Sequence, residues 1–446
     1  MINRLTVLLT IAACALCLVS CTEDTLRNPL DVKLTKRMSD LSPNGGLSYY
    51  ILPDETDYRN IPQDPSNPLT RQKVALGKML FFETGLAKEA HHEEGTNTYS
   101  CASCHVPSAA FTPGGVQGIA DGAFGFGHNG EARRIFDSYD PNEVDAQGAR
   151  PLAMLNLAYV TNTMWAGRFG SFDNNIGTEH LWTGVSAPNN LGLHGLEAQN
   201  IEGLELHRMV IDEALMTELG YKDYFDIAFS DFSKEERYTK MTASFAISAY
   251  LRTILTNQSP FQEWVKGDED AMTEQEKGGA LLFFTKAGCY KCHKGAALNA
   301  NEFHALGVKD LHEIDGVVRT SKDDPRNLGR GEFTKRPVDM YKFKVPQLYN
   351  LKDAPFLFHG SSMTSLREAI IYFNEGVPEN NAVPEAQIAP HFKPLEMTDE
   401  EIDALEAFLT NSLHDPNIDR YVPQEILSGF CFPNNDQVSK LDLNCQ

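Results

Sequence analysis

Past its N-terminal segment, the chain has no run of eighteen or more apolar residues, the length a helix needs to span a bilayer. It also lacks any sustained alternation of apolar and polar residues, which excludes a β-sandwich or barrel and leaves helices and loops. Positive charge is scarce: 39 Lys and Arg stand against 61 Asp and Glu, a formal net charge of −22. That balance excludes nucleic acid and anionic membrane surfaces as electrostatic partners. Cysteine is limited to nine residues, four of which fall in two identical spacings.

Those two spacings are Cys101-Ala102-Ser103-Cys104-His105 and Cys289-Tyr290-Lys291-Cys292-His293. Cys-x-x-Cys-His is the c-type haem attachment pattern. The two thiols add across the vinyl groups of one haem, the two intervening residues set their reach, and the His turns back onto the iron as proximal ligand. A zinc knuckle would need four ligands, and neither pentad has the other half of one. A thioredoxin-like redox pair is the remaining reading of a lone pentad. Two pentads, one in each half of a chain long enough for two or more domains, point to two covalently bound haem c groups.

The N-terminus agrees. Met1-Ile2-Asn3-Arg4 is a short basic region, Leu5 to Val19 is apolar, and Leu18-Val19-Ser20-Cys21 resembles a bacterial lipobox. Processing there makes Cys21 the lipidated first residue and removes Cys14 and Cys17; the alternative is an ordinary signal peptide cut nearby. Haem is attached to such pentads outside the cytoplasm, so the expected location is the periplasmic side of a bacterial membrane, with lipid as the only membrane contact. Cys431 and Cys445 remain. In an oxidising compartment they are expected to pair and close the C-terminal tail, the alternative being two free thiols.

The expected fold is mainly α, two c-type cytochrome-like haem domains with long loops. Residues 1–21 read as a lipoprotein signal peptide and 22–70, with Pro53, Pro62, Pro65 and Pro68, as a tether and lead-in. Residues 71–265 read as the N-terminal haem domain, 266–413 as the C-terminal one and 414–446 as a tail. Helical spacing begins at Val74, Leu76, Leu80 and Phe81 and returns from about Leu204 to Leu219 and from Lys240 to Leu255. Thr273 and Thr398, each with Glu three residues on, are helix caps. A Gly-rich loop runs from Gly114 to Gly130, and residues 171–195 read as a loop-rich insertion.

These residues resemble the bacterial di-haem cytochrome c peroxidases and their methylamine-dehydrogenase-maturation relatives. Leu76-Gly77-Lys78-Met79-Leu80-Phe81-Phe82 is similar to that family's L-G-x-x-L-F-F opening. Ser100 to Pro107 with Ala110-Phe111-Thr112 resembles its first haem signature. Arg150-Pro151-Leu152-Ala153-Met154-Leu155-Asn156 and Trp165-Ala166-Gly167-Arg168 resemble R-N-x-P-x-x-x-N and W-D-G-R, and Leu196-Glu197-Ala198-Gln199 resembles L-E-x-Q. Lys344-Val345-Pro346-Gln347-Leu348-Tyr349-Asn350 and Ala354-Pro355-Phe356 resemble K-V-P-x-L-R-N and the element after it. The chain departs from the pattern in three places. Ala166 replaces an Asp, and Arg150 stands where a family Asn helps to bind an interdomain calcium, whose other region matches at Asp353 and Pro355. The N-P-x-E-M element that supplies a catalytic Glu reads Gly203 to Met209 here.

The resemblance implies reduction of hydrogen peroxide, which takes two electrons and two protons. His105 then holds the peroxidatic iron and His293 the iron that takes up electrons from a small cytochrome or cupredoxin. A homodimer is compatible with this. Glu205 is the candidate distal acid-base, with Glu202 and His207 behind it; the alternative is an exposed Glu near a helix end. Trp165 is the candidate relay between haems, against a plain core residue. Arg168 is a candidate partner for a haem propionate, and His128 in the Gly-rich loop a candidate cap on the first iron. His359 and Met363 are candidate sixth ligands of the second iron, with Met397 further along. The competing readings are an oxidase that modifies another protein and a non-enzymatic di-haem carrier, which would need both irons fully ligated.

Overall fold

The computed structural model describes residues 28–445; the signal segment and Cys21 lie outside them. The helices that position the site are α1 (Pro29–Leu41), α2 (Arg71–Phe82), α3 (Gly195–Leu206), α4 (Lys240–Thr253), α5 (Pro260–Lys266), α6 (Glu274–Phe283), α7 (Leu366–Glu375), α8 (Asp399–Ala407) and α9 (Gln437–Asp442). Two antiparallel ribbons of two residues per strand are the only sheets among the described residues: β1 (Ala123–Phe124) with β2 (Arg134–Ile135), and β3 (Phe303–His304) with β4 (Phe343–Lys344). No described helix is long and apolar enough to cross a membrane.

The two halves repeat one construction. In each, a helix ending in Phe-Phe precedes the pentad and crosses a later helix so closely that only glycine fits. A Cβ on Gly77 of α2 would lie 1.8 Å from the Ala246 carbonyl oxygen of α4, and one on Gly279 of α6 would lie 1.9 Å from that of Ala404 on α8. The stretches Leu76 to Phe82 and Gly278 to Phe284 are the sequence trace of this repeat. Thr273 and Thr398 form the expected capping boxes with Glu276 and Glu401.

Three segments are shaped by distant partners. In the lead-in, Asp31 of α1 is buried, accepts from Trp264 Nε1 (2.6 Å) and pairs with Lys277 of α6 (2.8 Å). The helical spacing from Leu204 to Leu219 is interrupted. Arg208 turns left-handed (φ 53°) to place its guanidinium on the buried carboxylates of Asp121 and Asp145, both at 2.7 Å, and helix resumes only at Glu213. The tail crosses to the first half, where Tyr250 donates to the Tyr421 carbonyl at 2.9 Å. Cys431 and Cys445 are joined in a disulfide.

The first half is pinned by a fully buried ion pair, Arg252 on α4 with Glu197 on α3, bidentate at 2.7 and 3.2 Å. Removing one partner strands a buried charge. Arg252→Leu is therefore expected to lower unfolding stability by about 3–5 kcal/mol in denaturant titration; a loss below about 1 kcal/mol would contradict this.

Candidate functional site

Both pentads fold as one tight helical turn followed by a reversal. At the first, the His105 amide bonds back to the Cys101 carbonyl (3.1 Å). Ala110 and Phe111 then adopt left-handed conformations (φ 56° and 54°) and bring the Phe111 carbonyl to His105 Nδ1 at 3.2 Å. At the second, the His293 amide reaches the Cys289 carbonyl at 2.9 Å, and His293 Nδ1 faces the carbonyls of Leu298 (3.0 Å) and Pro346 (3.1 Å). A carbonyl oxygen only accepts, so Nδ1 carries the proton in each ring and Nε2 keeps its lone pair. Burial lowers both imidazole pKa values to about 4, so each ring is neutral and fit to ligate iron. Phe81 and Phe283, from the preceding helices, pack 6.5 Å from the two imidazoles.

None of the four pentad cysteines is in a disulfide. Burial raises Cys101, Cys104 and Cys289 to about 12 and also raises Cys292, which favours neutral thiols over metal-binding thiolates. Among the described residues no group of three or more His, Cys, Asp or Glu could hold a metal ion. The donor set at each pentad thus fits haem: two neutral thiols and one oriented, neutral imidazole. The residues of the calcium region do not fit calcium. Arg150 spends its guanidinium on Thr112 Oγ1 and on the carbonyls of Pro113, Gly115 and Val116, while Asp353 is bonded to His414 and Asn350.

Between the halves lies an aromatic cluster. Trp165 donates Nε1–H to the Arg150 carbonyl at 2.6 Å and stands edge-on to Phe343 (6.3 Å) and His359 (6.1 Å). Phe343 and His359 stack at 3.5 Å, and the Arg150 amide donates to the His359 carbonyl at 2.7 Å. Phe343 sits in β4, two residues before Val345, and the next residue, Pro346, is the one whose carbonyl holds His293. Arg150 reaches in the other direction, into the loop that follows the first pentad.

Several expected residues are placed otherwise. Glu205 points outward, 68% exposed and ion-paired with Lys240. Glu202, one turn earlier on α3, is half-buried, and its pKa is raised by burial and then by Glu205. Arg168 is paired with Glu332, so its guanidinium is already committed to a carboxylate. His359 is buried with Nε2 2.9 Å from Asp310, which in turn accepts from Asn380. Met363 packs in a satellite cluster with Val308, Tyr372 and Phe392, whereas Met397 belongs to the apolar cluster on which Cys289 packs. His128 is exposed on its loop. His207 holds Asp145 at 3.0 Å.

The comparisons with known proteins follow this geometry. A model of the family described as di-haem cytochrome c peroxidase matches residues 71–270. The chain is 28% identical over 360 residues to the methylamine utilization protein MauG of Methylorubrum extorquens, covering 80% of this chain and 82% of that one. It is 26% identical over 371 residues to the cytochrome-c peroxidase IdrP1 of Denitromonas iodatirespirans, covering 78% and 83%. Among solved structures, a MauG-like protein associated with microbial copper homeostasis shares the fold, with a TM-score of 0.55, 22% identity, and coverage of 82% of this chain and 95% of that one.

Because the two pentads repeat one local geometry far apart in the chain, Cys292→Ala is expected to yield protein that keeps one haem per chain after acid-acetone extraction while the wild type keeps two. Loss of all haem from the wild type on extraction would contradict covalent attachment at either pentad.

Proposed function

We propose that this chain, whose residues 71–270 match the di-haem cytochrome c peroxidase family, reduces hydrogen peroxide to water at the His105 site, using electrons taken up at the His293 site from a small cytochrome or cupredoxin. The observation that supports this reading is the aromatic cluster of Trp165, Phe343 and His359, which lies on the Arg150 carbonyl on one side and on the strand leading to Pro346 on the other. Bound covalently at the two pentads, haem supplies the electron storage and transfer that peroxide reduction needs.

The chain's own residues do the rest. The carbonyls of Phe111, Leu298 and Pro346 hold the two imidazoles in one tautomer and orientation. The Arg150 carbonyl fixes the plane of the Trp165 indole. Proton delivery falls to Glu202 rather than Glu205. Burial and the neighbouring Glu205 raise the Glu202 pKa, so it stays protonated to higher pH than an ordinary Glu. The step that uses this acid is present below that raised pKa and fades as pH rises through it. Glu205 lies exposed beside Lys240, one turn away.

A second reading, oxidation of a docked protein, is favoured by one observation: Trp165 is only half-buried, and its neighbour Met164 is exposed. An aromatic at that depth could draw an electron from a bound partner. Steady-state assay of peroxide consumption with a reduced small cytochrome or cupredoxin separates the readings. Turnover supports the peroxidase; its absence with every such donor, in oxidised or half-reduced protein, leaves the protein-oxidising or carrier role.

Glu202→Gln is expected to keep both haems and to cut peroxide turnover by about 10²-fold, the scale of a positioned acid, with a smaller loss for Glu205→Gln; the reverse order would return the role to Glu205. Trp165→Phe is expected to slow transfer between haems while leaving both absorption spectra nearly unchanged.

The chain is further proposed to be exported and tethered through lipid at Cys21. Cys21→Ala is then expected to move the protein from the membrane to the soluble fraction, and an unlipidated mature N-terminus in the wild type, read by mass spectrometry, would contradict this.

A further inference from the structure

The two pentads present different surfaces. Between the thiols of the first, Ala102 and Ser103 are buried, and the Pro433 carbonyl of the tail accepts from Ser100 Oγ (2.9 Å) and Ser103 Oγ (3.1 Å). Between the thiols of the second, Tyr290 is half-buried and Lys291 is exposed. Helix α1 borders this pentad. Its Arg37 donates Nε–H to the Phe284 carbonyl at 2.7 Å and lies 5.0 Å over the Tyr290 ring.

The face around Tyr290 is basic. Lys33 stands one turn before Arg37 on the same side of α1, and Lys286, Lys291 and Lys294 flank the ring in sequence. Lys36, Lys286 and Lys294 are matched by Asp40, Glu401 and Glu302. Asp31 is spent on Trp264 and Lys277, and Glu274, at the start of α6, on Asn28. Lys33, Arg37 and Lys291 pair with no carboxylate among the described residues. Three unmatched cations therefore surround the second pentad on a chain whose net charge is −22. The rest of such a surface repels an acidic partner and this face attracts one, so charge selects the orientation of docking as well as its strength. The two Nη groups of Arg37 are left as a fork that matches a carboxylate.

We infer that Lys33, Arg37 and Lys291 form the docking surface for the electron donor, and that this donor is a small redox protein with an acidic face. The inference rests on the proposed function for the direction of electron flow, but its readout does not require turnover. An anionic lipid surface would also meet these cations. A protein partner is favoured because the face is centred on Tyr290, between the two attachment thiols, and because three cations are few against the charge of the whole chain.

The test titrates the oxidised holoprotein into zinc-substituted rubredoxin, a small acidic redox protein made redox-inactive, and follows binding by nuclear magnetic resonance. The Lys33→Glu, Lys291→Glu double variant is expected to bind about tenfold more weakly at low ionic strength, with the gap closing as salt rises. A charge-matched double variant of exposed lysines elsewhere, Lys234→Glu with Lys322→Glu, is expected to lose less than about twofold. Reduction of the His293 haem by reduced iron rubredoxin in stopped flow is expected to slow in step with binding. Unchanged binding in the first variant, or an equal loss in the charge-matched one, would overturn the inference. So would binding of the Cys21→Ala protein to phosphatidylglycerol vesicles that is lost with Lys33→Glu and Lys291→Glu while rubredoxin binding stays unchanged, which would give the face to lipid. Absence of peroxide turnover in the wild type would overturn the peroxidase reading instead, with the titration still deciding the docking surface.

Discussion

The bond from each haem-attachment imidazole to a backbone carbonyl is the constraint on which the rest depends. It fixes the proton on Nδ1 of His105 and His293 and leaves Nε2 as the sole lone pair. The carbonyls can be there only because the chain after each pentad is itself held: left-handed Ala110 and Phe111 at the first, and at the second the Pro346 carbonyl, delivered just past strand β4. Helices α2 and α6 back this arrangement with Phe81 and Phe283, and Gly77 and Gly279 let those helices come close enough to their partners to do so.

The two sites share this construction and diverge around it. The first is enclosed by the tail and by a charged network in which Arg208 and His207 meet Asp121 and Asp145. The second is enclosed by α1, whose Arg37 lies over the Tyr290 ring of the pentad at 5.0 Å. One segment from near each end of the described residues therefore packs on each pentad. Trp165, Phe343 and His359 cluster between them, and Arg150 bridges the loop after the first pentad to the backbone of His359.

Much of this was legible in the residues. The pentads, the helix caps at Thr273 and Thr398, the mainly helical character and the pairing of Cys431 with Cys445 follow from spacing and chemistry that act locally. What the sequence hid is set by long-range partners. Nothing local shows that Arg168 meets Glu332, that Glu205 meets Lys240, or that His359 meets Asp310. Each is an ion pair or hydrogen bond between segments far apart in the chain. Nor does anything local in the proline-rich lead-in show that Asp31 meets Trp264 and Lys277. The Gly-x-x-x-Phe-Phe spacing ahead of both pentads marks the two helix crossings directly.

The central claim is that electrons held at the His293 haem reduce peroxide at the His105 haem. A single-turnover experiment tests it most directly: the protein is reduced by one electron, so that the His293 haem alone is ferrous, and mixed with one equivalent of hydrogen peroxide in a stopped-flow spectrometer. The account predicts rapid oxidation of that ferrous haem with consumption of one peroxide per chain. A ferrous His293 haem that persists while peroxide remains unconsumed would contradict it.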